Sequence, residues 1–265
     1  MSIALVVYAA MCRFGRAPKV ENVKHNQLLG PFMGGYVVWL ISPIERAFVG
    51  RVSPNVVTSL SLACCAATGI VAAQGYLGMA VWLYAFGGIL DILDGRLARL
   101  SHQQTKSGAL FDSVSDRWAE LFVFAGYAWY LHDTVWLFAV LAATGSSLMV
   151  SYTRARAESL GVELHGGMMQ RAERILLITL GSLVAAWFAG SAVVIIGVVM
   201  TLCAVSCTAT AFARWVAAYR ELSRLDDLAA NKIAHAQPRT APIAEIVVVP
   251  AKLRESAELG LIARR

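Results

Sequence analysis

Four aspartates stand in otherwise apolar surroundings: Asp91, Asp94, Asp112 and Asp116. The first two are three residues apart and the last two are four apart, so each pair shares one face of a helix. The segment between them is short, so the two helices can return antiparallel and bring both pairs to one end. Four converging carboxylates repel one another unless cations sit between them. A set of hard oxygen ligands favours magnesium, manganese or calcium over zinc. Gly95 follows the second aspartate and Gly108 precedes the third by one turn, and both remove bulk where a helix or ligand must come close. Arg99, with Ala98 before it, supplies a cation suited to a phosphate oxygen or to one of the carboxylates. Packing through nearby arginines is the plainer use of such acids, but it would bury every one of them at a cost and return only helix association.

A second group is basic: Ser151-Tyr152-Thr153-Arg154-Ala155-Arg156, then Gly166-Gly167, then Arg171-Ala172-Glu173-Arg174, with Arg214 further on. Arg154, Arg171, Arg174 and Arg214 fall at the same ends of three different apolar segments. Guanidinium groups hold phosphate in a fork, so an acceptor that itself carries a phosphate suits this group. Arg220 and Arg224 need no such role.

The elements that position these residues are membrane-spanning helices. Of 265 residues, 58% are hydrophobic and 15% charged, and the apolar residues come in long runs. About 20 such residues cross a bilayer as a helix. Six runs are expected to span, near residues 53–74, 77–100, 108–131, 135–152, 175–189 and 192–212. Gly75-Tyr76, His132-Asp133-Thr134 and Gly190-Ser191 break them on one side, where there is no lysine or arginine. Arg51, Arg96, Arg99, Lys106, Arg154, Arg156, Arg171, Arg174, Arg214 and Arg220 lie on the other. The positive-inside rule places that side, with both termini, in the cytoplasm. The organisation expected is an N-terminal segment 1–51, a six-helix domain 52–220 and a tail 221–265.

Ser42-Pro43 reads as the start of a short interfacial helix through Phe48. The tail, broken by Pro238, Pro242 and Pro250, reads as loosely folded. The five cysteines lack CxxC spacing and read as small apolar residues. No cleavable signal peptide is evident. The net charge of +6 gives nucleic-acid binding no further support. A transporter or a non-catalytic cation scaffold remains the alternative from another class, but transport sites tend to lie at mid-membrane, whereas these acids lie toward the cytoplasmic ends.

The run Asp91-x-x-Asp94-Gly95-x-x-Ala98-Arg99, eight residues, then Gly108-x-x-x-Asp112-x-x-x-Asp116 resembles the complete signature of the CDP-alcohol phosphatidyltransferases. The likeness covers the six runs, not the first fifty residues or the tail. It implies an all-α integral membrane enzyme, six helices around a polar cavity open to the cytoplasm, and a homodimer. It also implies Asp91, Asp94, Asp112 and Asp116 as ligands of two magnesium or manganese ions, with Asp116 doubling as general base. Gly95, Ala98, Arg99 and Gly108 would line the CDP site, with Asn55 and Thr58 touching the nucleotide. The donor would be CDP-diacylglycerol or a similar CDP-lipid, and CMP would leave.

The basic group resembles the inositol-phosphate-using branch, in which Ser151, Arg154, Arg174 and Arg214 would hold the acceptor. Two departures stand out: Arg154 where mycobacterial-type enzymes have lysine, and Gln170-Arg171-Ala172-Glu173-Arg174 where they have Glu-Arg-Pro-Glu-Arg. Phosphatidylglycerophosphate synthases share parts of this segment, so glycerol phosphate is the alternative acceptor. A bacterial inner membrane, with the active site on its cytoplasmic face, is the expected location.

Overall fold

The computed structural model describes residues 12–13, 30–101, 104–164, 167 and 169–236. Every regular element among them is helical: α1 (Gly30–Phe48), α2 (Pro54–Ala73), α3 (Leu77–Leu100), α4 (Lys106–Tyr130), α5 (Leu137–Ser159), α6 (Arg171–Trp187), a 3-10 turn (Ala189–Ser191) and α7 (Ala192–Ala236). The chain divides into two compact units, residues 1–219 and 220–265.

Local chemistry sets the ends of these helices. Pro54 stands in the first turn of α2, behind an extended Ser53, where its missing N–H goes unneeded. Gly75, at φ 81°, turns the chain from α2 into α3; that left-handed backbone strains any side chain. The Ser101 hydroxyl closes α3 on the Leu97 carbonyl at 2.6 Å. Thr105 caps α4 by accepting from the Gly108 N–H at 3.0 Å, so α4 starts two residues before Gly108.

Helices α2, α3 and α4 pack as the tightest group. A side-chain carbon on Gly69 would collide with the Phe122 carbonyl, and one on Gly126 would collide with the Gly69 backbone. The backbones of α2 and α4 therefore touch, as small residues permit in membrane bundles. The Ser61 hydroxyl donates to the Gly87 carbonyl at 2.9 Å and ties α2 to α3. Gly181 lies against Val199 in the same close manner, joining α6 to α7.

The distribution of side chains is that of a membrane protein. Large apolar residues such as Trp82, Trp118, Trp129, Leu141, Trp187 and Val205 face outward, whereas Thr58, Asp94, Glu120, Ser147, Arg174 and Arg214 are buried. In water the outward set would be costly; in lipid it is favourable and the buried polar set is enclosed. Among the described residues three helices are long and apolar enough to cross a membrane, within 54–73, 77–100 and 189–231. α4 carries Asp112, Asp116, Arg117 and Glu120, α5 opens apolar but holds Thr144, Ser146 and Ser147 in its middle and Arg154, Arg156 and Glu158 in its last turns, and α6 has only 17 residues.

Two expectations need correction. The N-terminal helix begins at Gly30, and Ser42 is not its cap: its hydroxyl bonds the Trp39 carbonyl at 2.8 Å inside the helix. Pro43 has no N–H to give the Trp39 carbonyl, and the Ser42 hydroxyl donates to that oxygen instead. The last helix does not stop at Phe212 but runs to Ala236; residues 213–236 are rich in good helix formers and Pro238 is the first proline after them. The remaining calls on residues 1–29 and on 237–265, apart from Cys12–Arg13, lie outside the described residues.

Candidate active site

The acids meet as their spacing implies, with one distinction among them. Oxygens from Asp91, Asp112 and Asp116 all lie within 4.8 Å of one another. Asp91 comes from α3 and the other two from α4, one turn apart. The donor set is carboxylate oxygen only, which fits a hard divalent cation such as magnesium or manganese. Asp94 stands beside this trio, within reach of the charges on Asp91 and Asp112. It is buried, and its Oδ2 accepts from the Thr58 hydroxyl at 2.7 Å. The same hydroxyl lies 3.1 Å from the Pro54 carbonyl, so Thr58 locks α2 to the signature helix.

The residues expected at the nucleotide gather at the same end of the bundle. A side-chain carbon on Gly108 would lie 3.7 Å from the Asn55 Oδ1, which puts the start of α2 against the start of α4. The Arg99 guanidinium folds over Gly95: a side-chain carbon there would sit 3.5 Å from its Nη1. Ala98 is partly buried.

The arginines divide into two sets. Arg171, expected at the acceptor, opens α6 against the acids instead: its guanidinium contacts Asp116 and lies 3.4 Å from Asp91. The first residue of a helix facing two carboxylates is drawn to the nearer opposite charge. Arg154, Arg174 and Arg214, from α5, α6 and α7, come together, with Arg214 in the electrostatic reach of both others. Protein carboxylates sit among them: Glu158 and Glu173 also act on Arg214. The Arg154 Nε donates to Glu158 at 2.7 Å, and a cavity of about 440 Å³ opens beside it, lined by Arg154, Glu158, Gly161, Glu163 and Leu164. The Arg214 Nη1 donates to the Val150 carbonyl at 2.9 Å. Gly167, at φ 125°, lets the loop before α6 close on Arg214, where a side-chain carbon would lie 3.1 Å from two of its nitrogens. Ser151 is half-buried, one turn before Arg154.

Arg174 is held by groups that sequence reasoning did not single out. It is 3% exposed. Its Nε donates to the Glu120 Oε1 at 3.0 Å, its Nη2 contacts the same oxygen, and its Nη1 donates to the Met169 carbonyl at 3.1 Å. The Ser147 hydroxyl donates to the other Glu120 oxygen at 2.6 Å. A guanidinium carries five N–H groups, so this arrangement fixes its orientation and leaves N–H capacity on both terminal nitrogens. The signal was present in the sequence: Glu120 lies one turn past Asp116, on the same face of α4. A third missed pair, Glu45 with Arg96, joins α1 to α3.

Comparison with known proteins gives the family. Residues 51–218 match the family model for CDP-alcohol phosphatidyltransferase. The chain is 35% identical over 166 residues to the archaetidylinositol phosphate synthase of Methanothermobacter thermautotrophicus, covering 58% of this chain and 83% of that one. It is 34% identical over 173 residues to the phosphatidylinositol phosphate synthase of Streptomyces avermitilis, covering 62% and 68%. Among solved structures it is similar to the Mycobacterium tuberculosis phosphatidylinositol phosphate synthase with CDP-DAG bound, at TM-score 0.61 and 28% identity, covering 68% of this chain and 94% of that one. It is also similar to the same enzyme in complex with manganese and citrate, at TM-score 0.61 and 29% identity over 67% and 88%. This chain belongs to the CDP-alcohol phosphatidyltransferase family and is therefore a membrane transferase of phospholipid biosynthesis.

Proposed function

We propose that the chain transfers the phosphatidyl group of CDP-diacylglycerol, or of a similar CDP-lipid, to a hydroxyl of inositol phosphate and releases CMP. The observation that carries the acceptor is the gathering of Arg154, Arg174 and Arg214 from three helices, with Arg214 in the reach of both others. Arg154 and Arg174 are each held by a carboxylate, Glu158 and Glu120, and the N–H groups they keep, with those of Arg214, are the donors a phosphate monoester takes and a zwitterionic or neutral alcohol does not need.

Asp91, Asp94, Asp112 and Asp116 would hold two magnesium or manganese ions, whose chemistry is to neutralise the diphosphate and polarise the lipid-bearing phosphorus. Asn55, Thr58, Gly95, Ala98, Arg99 and Gly108 cradle the CDP moiety. Ser151, Arg154, Arg174 and Arg214 hold the acceptor phosphate, and Arg171 stands at the border of the two subsites. Asp116 takes the proton from the acceptor hydroxyl. The hydroxyl oxygen then bonds to the lipid-bearing phosphorus in line, the bond from that phosphorus to the CMP oxygen breaks, and CMP leaves with the electron pair. In this reading six helices span the membrane, the site opens to the cytoplasm of a bacterial cell, and the enzyme is a homodimer.

The test is a CMP-release assay with CDP-diacylglycerol, magnesium and one acceptor at a time. Turnover is expected with inositol phosphate. Turnover with glycerol phosphate, and none with inositol phosphate, would reassign the acceptor.

A further inference from the structure

The helix that precedes the family's matched region reaches the donor site through one buried ion pair. Glu45, on α1, is 5% exposed. Its Oε2 accepts from the Arg96 Nε at 2.7 Å and its Oε1 from the Arg96 Nη2 at 3.1 Å, across 51 residues of chain. This two-point fork fixes orientation as well as distance. Around it Ile41 of α1 packs with Val57 of α2 and with Leu90, Leu93 and Leu97 of α3.

Arg96 sits in the middle of the signature, between Asp94-Gly95 on one side and Ala98-Arg99 on the other. Asp94, Glu45 and Arg96 all act on the Arg99 guanidinium, so the four charges form one local group. With Glu45 and Arg96 satisfying each other, Arg99 stays over Gly95. If Arg96 lost Glu45, its unpaired charge would repel the Arg99 guanidinium beside it. If Glu45 lost Arg96, the cation left to it would be Arg99. Either change pulls Arg99 out of place.

We infer that Glu45 and Arg96 act as positioning residues for the CDP-lipid: the N-terminal helix, through this pair, keeps Arg99 available to the donor. The inference rests on the donor assignment above, not on the identity of the acceptor. Because its readout is donor binding, a wrong acceptor leaves the expected shifts unchanged.

The experiment measures the dissociation constant for CDP-diacylglycerol, the acceptor KM and the thermal midpoint. The proteins are the full-length wild type, Glu45→Gln, Arg96→Gln and the double variant, all in the same detergent. Each single variant is expected to bind the donor about tenfold more weakly, the scale of one lost charge-assisted contact. The acceptor KM should stay within about twofold. The double variant removes both stray charges and should recover donor affinity to within about threefold of wild type, a non-additive result. A tether with no role at the donor site would lower the thermal midpoint of all three variants, the double at least as much as either single, and leave donor affinity unmoved. That outcome, or a double variant that binds donor more weakly than both singles, overturns the inference.

Discussion

Glu120 and Arg174 lie 54 residues apart in the chain, yet the Arg174 Nε donates to the Glu120 Oε1 at 3.0 Å. One turn earlier on α4, Asp116 faces Arg171 of α6. The two rungs fix α6 against α4, and the lower rung orients a guanidinium that the acceptor reading requires.

Removing the acid from the lower rung leaves a buried cation without its partner, which costs about 3–5 kcal/mol. Glu120→Ala is therefore expected to lower stability strongly in a denaturant titration, and Glu120→Leu with Arg174→Leu together should be milder than Glu120→Ala alone. Equal stability of wild type and Glu120→Ala would show that the pair carries no weight.

Chelation should abolish turnover and magnesium or manganese should restore it, because Asp91, Asp112 and Asp116 bring their oxygens within 4.8 Å and mutual repulsion must be offset. Asp116→Asn should keep the fold and lose about 10²–10⁴-fold in turnover, since an amide takes no proton. Asp91→Asn should weaken manganese binding as well, read by titration without substrate. Full activity in EDTA with trace metal excluded would remove the site assignment.

The acceptor arginines predict a split in the kinetics. Losing one charge-assisted contact to phosphate costs roughly 1.5–3 kcal/mol, about ten- to a hundredfold in affinity. Arg154→Ala and Arg214→Ala should raise the acceptor KM on that scale and leave the donor KM nearly unchanged. Arg174→Ala should do the same and also cost stability, because it strands Glu120. An unmoved acceptor KM in all three folded variants would put the phosphate pocket elsewhere.

Gly126→Ala tests the crossing of α2 and α4. Its new carbon would meet the Gly69 backbone, so the helices must separate, at roughly 1–3 kcal/mol for overpacking. Separation moves Asn55 of α2 away from Gly108 of α4, so donor affinity should fall together with the thermal midpoint. Wild-type values of both would mean that the bundle absorbs the methyl group without shifting.

The sequence by itself determined which acids can gather and most helix limits. The spacing of Asp91, Asp94, Asp112 and Asp116 sets which of them share a helical face, and Pro54, Gly75 and Gly190 punctuate the chain through local backbone preference; both are short-range properties, readable from neighbours in the chain. Tertiary structure alone decided the partners: Thr58 for Asp94, Glu45 for Arg96, Glu120 for Arg174, and the acids for Arg171. Those choices depend on how each helix is rotated and how closely it crosses the next. That is set by distant contacts such as Gly69 on Gly126, and a charge on a helix has no preferred partner until the packing brings one within reach.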